Sequence, residues 1–245
     1  MIFFASDFHL GIPNYTKSLE REKMLVNWLQ SIQNKATQLF LVGDLFDYWF
    51  EYKSVVPKGY IRLLGKLAEM SDAGIKIHIF SGNHDVWMFD YFEKELNAVV
   101  HHQPLEITLL EKKFYIAHGD GLGPDDHGYK FVKKIFRNKA CQWLYRQLHP
   151  DLSFRLATFF SKTSRNKNYE NDRDFLGEEK EWLIIHSKEE LKKKPIDFFI
   201  YGHRHLPMEI DLANGSKCIN LGDWISHFTY AQFDGHELLL KKITS

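Results

Sequence analysis

The sequence predicts an α/β fold of the layered α+β kind. Short apolar runs of strand length alternate with amphipathic helical stretches through the first part of the chain, and strand-like runs separated by turn signals close it. A third observation concerns where the strands stop: five of the apolar runs end at a cluster of Asp, Asn or His.

Taken in order, residues 2–5 (IFFA) read as a buried strand. Residues 17–33 follow as a helix, with Leu25, Trp28, Leu29 and Ile32 at helical spacing. QLFLV (38–42) is a second strand, and GYIRLLGKLAEMSDAG (59–74) is a helix that Gly74 terminates. IKIHIF (75–80) is a third strand, with a helical stretch near 86–97. LEITLL and KFYIA, joined at Glu111-Lys112, form a hairpin. From about 125 to 193 the pattern is mostly helical, interrupted by the polar SKTSRNKNYENDR (161–173). Residues 122–193 are therefore read as a helical insertion within one domain spanning 1–245. DFFIY (197–201) is a strand, and meandering strands run from Ile210 onward, with turns at Asn214-Gly215 and Asp234-Gly235.

Composition removes several function classes. The 245 residues are 44% hydrophobic and 26% charged, as in an ordinary globular domain with an ample core. Lys+Arg and Asp+Glu both number 32, so global charge selects no partner, while 13 histidines suit metal or proton chemistry. Cys141 and Cys218 lie far apart and form neither a disulfide framework nor a thiolate zinc site. The opening MIFFASDFHL has no basic leader, and no apolar run is long enough to span a bilayer, so the cytoplasm is the expected compartment.

The strand ends carry the chemistry. FFA runs into Asp7 and His9, FLV into Gly-Asp44 and Asp47, and IHIF into Gly-Asn83-His84-Asp85. FYIA runs into His118-Gly-Asp120, and FFIY into Gly-His203-Arg-His205. Ligands of α/β sheets bind beyond the carboxyl ends of strands, where side chains leave the core. The DxH and HxH spacings are expected to put paired ligands on one side of an extended backbone. Oxygen and imidazole donors without sulfur suit Mn, Fe or Zn. Asp7, His9, Asp44, Asn83, His118, His203 and His205 are too many for one open site and suit two ions sharing a carboxylate. Any single cluster is compatible with a polar turn; five in this order are not.

This ordered set, DxH, GDxxD, GNHD, a later His and GHxH, resembles the calcineurin-like metallophosphoesterases. The resemblance implies a four-layer αββα sandwich with a dinuclear centre at the strand ends. One ion would take Asp7, His9, Asp44 and His205, and the other Asp44, Asn83, His118 and His203, with Asp44 bridging. His84 would stabilise developing charge or protonate the leaving group, oriented by Asp85. Asn83 and His203 would face substrate as well as metal.

The helical insertion has a local charge that the whole chain lacks. Between Tyr129 and Asn168, ten Lys and Arg residues face only Asp151 among acids, interleaved with apolar bulk such as Phe136, Trp143 and Phe159. That pattern fits an anionic lipid surface or lipid substrate, and equally a solvated helical cap. GDLFDYW, the DDHGYKF stretch after HGDGLG, GHRHLP and the late LGDW are similar to the UDP-2,3-diacylglucosamine pyrophosphohydrolases of lipid A synthesis. That likeness implies hydrolysis of a lipid nucleotide, usually with manganese, at the cytoplasmic face of the inner membrane. The insertion would act as a lid, with Asp126, Tyr129, Lys162, Arg165 and Lys167 on the substrate's polar part. His84 stands where familiar members of that family have arginine, which leaves another phosphodiester or pyrophosphate open as substrate. A nuclease would also use a dinuclear site beside a basic surface, but charge and apolar bulk are mixed in one cap here, which argues against nucleic acid. A protein phosphatase is disfavoured by LFDYWF after the GD motif, and a non-catalytic metal-binding scaffold by the completeness of the ligand set.

Overall fold

A computed structural model describes residues 1–123, 127–168 and 174–243; for 127–129, 131, 160 and 162–168 it describes the backbone. In chain order the elements are β1 (Ile2–Ala5), α1 (Tyr15–Ile32), β2 (Gln38–Val42), α2 (Ile61–Asp72), β3 (Lys76–Phe80), α3 (Tyr91–Leu96) and β4 (Val99–His101). Then come β5 (Leu105–Leu109), β6 (Lys112–Ala117), α4 (His127–Arg137), α5 (Lys139–Arg146), α6 (Pro150–Asn168) and α7 (Trp182–Leu191). The chain closes with β7 (Phe198–Tyr201), β8 (Met208–Asp211), β9 (Lys217–Asn220), β10 (Thr229–Phe233) and β11 (Leu238–Lys242).

Two mixed sheets pack face to face. One has the order β11-β10-β1-β2-β3-β4 and the other β5-β6-β7-β9-β8. The alternation of each strand assigns its side chains to layers. Ile2, Phe4, Phe40 and Val42 meet Phe114, Ile116, Ile200 and Ile219 between the sheets. Their neighbours Phe3, Ala5, Leu39 and Leu41 point the other way and pack under Leu25 and Trp28 of α1, Leu67 of α2 and Phe92 of α3. On the far face, Leu183 and Ile184 of α7 cover Tyr115, Phe199 and Tyr201. The layers are thus helix, sheet, sheet, helix. Strands buried on both faces must be apolar throughout, which explains why IFFA and FLV lack a polar alternate.

Local signals account for most boundaries. Gly74 sits at positive φ just past α2, where its N–H and that of Ile75 return to Ser71 and Met70. The start of α2 has no side-chain cap of its own; buried Glu22 of α1 accepts from the Arg62 and Leu63 N–H groups instead.

Three expectations change. The short parallel strand β4 was not legible in the sequence. The closing strands do not form one meander: β8 and β9 pair in the second sheet, while β10 crosses to lie beside β1 in the first. Helix α6 runs on through Asn168 where the polar stretch predicted an interruption. Nothing between Ser161 and Asn168 is proline or glycine, and polar residues tolerate an exposed helix. Among the described residues, no helix is long and apolar enough to cross a membrane.

His78 of β3 is buried, stacks on Phe40 with ring centroids 4.3 Å apart and meets His101 at 2.9 Å. Burial, reinforced by His101, lowers its pKa to about 4. Between there and the ordinary value the unfolded chain takes up a proton that the native ring refuses, so stability rises with pH in that window and is lost as pH falls through it. Urea unfolding is expected to show a loss of ~2 kcal/mol from this residue between pH 6.5 and 4, below the ~3 kcal/mol of an unscreened shift. His78→Phe should flatten that part of the pH profile; an unchanged profile would refute the assignment.

Candidate metal centre

The loops leaving β1, β2, β3, β6 and β7 converge at one end of the seam between the sheets. There Asp7, His9 and His205 form one cluster and Asp44, His118 and His203 a second, each with donor atoms within 4.8 Å of one another. Asp44 lies between them: its Oδ2 is 3.6 Å from His9 Nε2 and 3.3 Å from His118 Nε2. His9 Nε2 and His205 Nε2 approach to 3.1 Å, and His118 Nε2 lies 3.2 Å from Asn83 Oδ1. All seven residues singled out as ligands from the sequence are therefore brought together.

The reason they meet differs from the one the spacing suggested. The strands stop at Ala5 and Tyr201, and Asp7, His9, Asp44 and His203 all have positive φ, between 43° and 66°. A left-handed backbone, costly for residues other than glycine, turns these side chains inward; an extended strand end does not. Two motif glycines are explained by close approach. A Cβ on Gly82 would strike the Asp44 carboxylate, and one on Gly202 would come within 2.6 Å of Asp7 Oδ2.

The electrostatics fit bound cations. Asp7 and Asp44 are 0% and 1% exposed. Burial disfavours their charge, but His9, His118 and His205 outweigh it at Asp7, as His118 and His84 do at Asp44, and both carboxyls are held below the ordinary range. Burial opposes charge on His118 too, yet the Asp44 carboxylate raises its pKa to about 10. His203 goes the other way, to about 4, through burial and the neighbouring His118. Asp7 Oδ1 and His9 Nδ1 have no hydrogen-bond partner among the described residues, and such atoms are costly unless something binds them. Divalent ions held by this oxygen and imidazole set would satisfy Asp7 Oδ1 and replace the proton on His118.

Several supporting residues were not assigned from the sequence. Asp223 of LGDW lies 3.8 Å from His205 Nδ1 by Oδ2, and its Oδ1 is held by the Ser226 and His227 N–H groups. The Trp224 N–H bonds to the Asp7 carbonyl, so this loop braces the first one. His118 Nδ1 meets the Val42 carbonyl at 2.9 Å, which fixes the ring and turns Nε2 inward. Arg204, between the two histidines, is fully buried in a double contact with Glu181, at 3.2 Å and 3.1 Å. The late LGDW motif was a usable signal for Asp223; no signal pointed to Glu181.

His84 lies over His9, ring centroids 4.9 Å apart, and comes within the same 4.8 Å of His9 and Asp44 donor atoms. Its Nδ1 faces the Asp47 carbonyl at 3.3 Å and Ser161 Oγ of α6 at 3.2 Å. Asp85 departs from the orienting role expected of it. Its carboxylate accepts from the N–H groups of Asp44, Leu45, Phe46 and Gly82, tying the second and third loops together rather than gripping His84. Burial and the Asp44 charge raise its pKa to about 7. Asp126 lies outside the described residues, as do the side chains of Tyr129, Lys162, Arg165 and Lys167.

Two packed sheets with buried Asp, Asn and His loops at their seam define a phosphoesterase class of protein. The pattern of the calcineurin-like phosphoesterases matches residues 1–207, and the chain belongs to that family. It is 40% identical to the UDP-2,3-diacylglucosamine hydrolase of Porphyromonas gingivalis, across 99% of this chain and 97% of that protein. Identity to the UDP-2,3-diacylglucosamine hydrolase of Edwardsiella ictaluri is 26%, across 97% and 90%. Among solved structures, the E. coli phosphoesterase Yfce aligns at 17% identity with a TM-score of 0.44, covering 97% of this chain and 90% of that one. The chain is accordingly a metal-dependent hydrolase.

Glu181→Ala would take from the buried Arg204 guanidinium the carboxylate that grips it at two points. That is expected to cost ~3–5 kcal/mol, lowering Tm by roughly 10 °C. Bound metal, read by elemental analysis of the purified protein, should fall as well, because the loop bearing His203 and His205 loses its anchor. Full metal content at an unchanged Tm would refute this role.

Proposed function

We propose that the chain hydrolyses the pyrophosphate of UDP-2,3-diacylglucosamine, giving UMP and 2,3-diacylglucosamine 1-phosphate. The observation that carries this reading is the 40% identity over nearly the whole chain to a hydrolase of that name. A complete set of candidate ligands supports it, since a scaffold without activity needs no such set. Two divalent ions, manganese in this reading, would be held by Asp7, His9, Asp44, Asn83, His118, His203 and His205. Bound there, they supply Lewis acidity toward phosphoryl oxygens and acidify water.

The chain's own groups supply position and protons. Asp7, His9 and His205 hold one side of the centre, and Asn83, His118 and His203 the other, with Asn83 and His203 also facing substrate. His84, with Nδ1 facing the Asp47 carbonyl, serves as proton donor to the leaving oxygen through Nε2. Water adds to one phosphorus and gives up a proton to solvent, and the bond from that phosphorus to the bridging oxygen breaks. That oxygen departs with the other phosphate carrying the proton from His84, which His84 regains from solvent. Helices α4 to α6 act as the lid of the 122–193 insertion, with Asp126, Tyr129, Lys162, Arg165 and Lys167 on the substrate's polar part. The buried aromatic cluster of Tyr48, Phe50 and Trp87 seats the insertion through Phe136, Tyr145 and Ala157, and the acyl chains lie along the insertion's exposed apolar side chains such as Leu152, Phe154 and Phe159. Trp143, Leu144 and Phe159 are about 60% exposed or more on the same helices as Lys139, Arg146 and Arg155, which supports peripheral docking on an anionic inner membrane.

The test is UMP release from the lipid nucleotide in detergent with manganese. Asp44→Ala and removal of metal by a chelator are each expected to abolish it. His84→Ala should lower kcat by roughly 10²-fold while keeping both metals. Cleavage of bis-p-nitrophenyl phosphate without UMP release would overturn the substrate, and full turnover by His84→Ala would overturn its role.

A further inference from the structure

The two flanks of the metal centre differ in chemistry. On the His84 side lies the aromatic cluster, in which Trp87 and Phe136 rings meet at 5.0 Å. On the His118 side opens a cleft of about 290 Å³, at the small end of ligand sites. Its walls are Ser81 after β3, His102 and Gln103 after β4, and Lys133 and Arg137 on α4, with His118 itself among them. A group in this cleft therefore lies beside a candidate metal ligand.

The cleft mixes polar groups with apolar ones such as Phe80, Pro104 and Leu122, and it carries positive charge. Lys133 bonds to the Asp120 carboxylate and carbonyl, so its charge is largely matched. Arg137 gives one N–H to the His102 carbonyl, and a guanidinium has five. His102 Nδ1 meets Ser81 Oγ at 3.3 Å, and the Gln103 amide stands at the exposed rim. These are groups suited to a phosphate and the polar edge of a base, and they are poor company for an acyl chain. A substrate with an apolar end and a nucleotide end, joined by a pyrophosphate at the metals, needs opposite flanks for its two ends.

We propose that the cleft at Arg137 is the subsite for the nucleoside monophosphate half of the substrate. Arg137 pairs with its phosphate, and the base lies against His102 and Gln103. The inference rests on the lipid-nucleotide reading, which supplies the nucleotide half that the cleft would hold.

The experiment is calorimetric titration of the manganese-loaded full chain with UMP, ribose 5-phosphate and inorganic phosphate. Arg137→Ala is expected to weaken UMP about tenfold or more, with Arg137→Lys restoring part of the loss, because a charge-assisted bond is removed. Ribose 5-phosphate should weaken alongside it because it carries the same phosphate. Inorganic phosphate should bind more weakly than UMP to the wild type because it has no nucleoside to lie in the cleft, and metal content should stay constant. Gln103→Ala should weaken UMP but not ribose 5-phosphate. Equal UMP affinity in wild type and Arg137→Ala overturns the subsite, as does a loss of UMP binding that is accompanied by loss of bound metal. Arg137-dependent UMP binding by a protein that releases no UMP from the lipid nucleotide would keep the subsite and overturn the substrate reading. Release of UMP with unaltered binding by the variants would do the reverse.

Discussion

Asp7 and Asp44 place two carboxylates, almost wholly enclosed, in the seam between the sheets, and much of the surrounding structure serves to keep them there. Buried charge is costly unless it is paired and hydrogen-bonded. The His203 N–H donates to Asp7 Oδ2 and the His84 N–H to Asp44 Oδ1, so each acid is gripped by the backbone of a loop that also carries a candidate ligand. Four left-handed residues are the strain that this arrangement accepts. What balances the remaining charge is the imidazole ring of donors, and with it a site whose polar atoms ask for cations.

The same logic extends outward. Asp85 collects N–H groups from two loops, Asp223 steadies the His205 loop, and Arg204 anchors the histidine turn to Glu181 at the start of α7. None of these needs to touch a substrate. Together they tie down the loops that carry the donor atoms, which catalytic constellations require and flexible loops alone do not provide.

Helix α4 joins the centre to its surroundings on both sides. Phe136 packs into the aromatic cluster, while Lys133 and Arg137, one turn apart, share the face toward the cleft. One amphipathic helix thus separates an apolar flank from a cationic one. Ser161 of α6 adds a second tie, bonding both to Asp47 Oδ1 at 3.0 Å and to His84 Nδ1. The insertion is therefore wired to the centre by polar contacts rather than resting on it.

The layers and the donors were legible in the chain itself. Buried strands such as IFFA and FLV must be apolar on both faces, helices show their stripe, and a metal or phosphate site tolerates few residue types, so Asp7, His118 and His205 stood out. The two-sheet split of the closing strands was not legible, because β10 and β8 carry similar local patterns and differ only in which sheet edge remains to be paired. Nor was the service of Glu181 to Arg204, a contact across 23 residues that no local spacing encodes. By itself the sequence determined which elements form and which donors are available, since periodicity and ligand chemistry are properties of short stretches. Only the tertiary structure decided which donors meet, because that depends on left-handed turns and glycine clearances that exist once five loops from two sheets share one buried space.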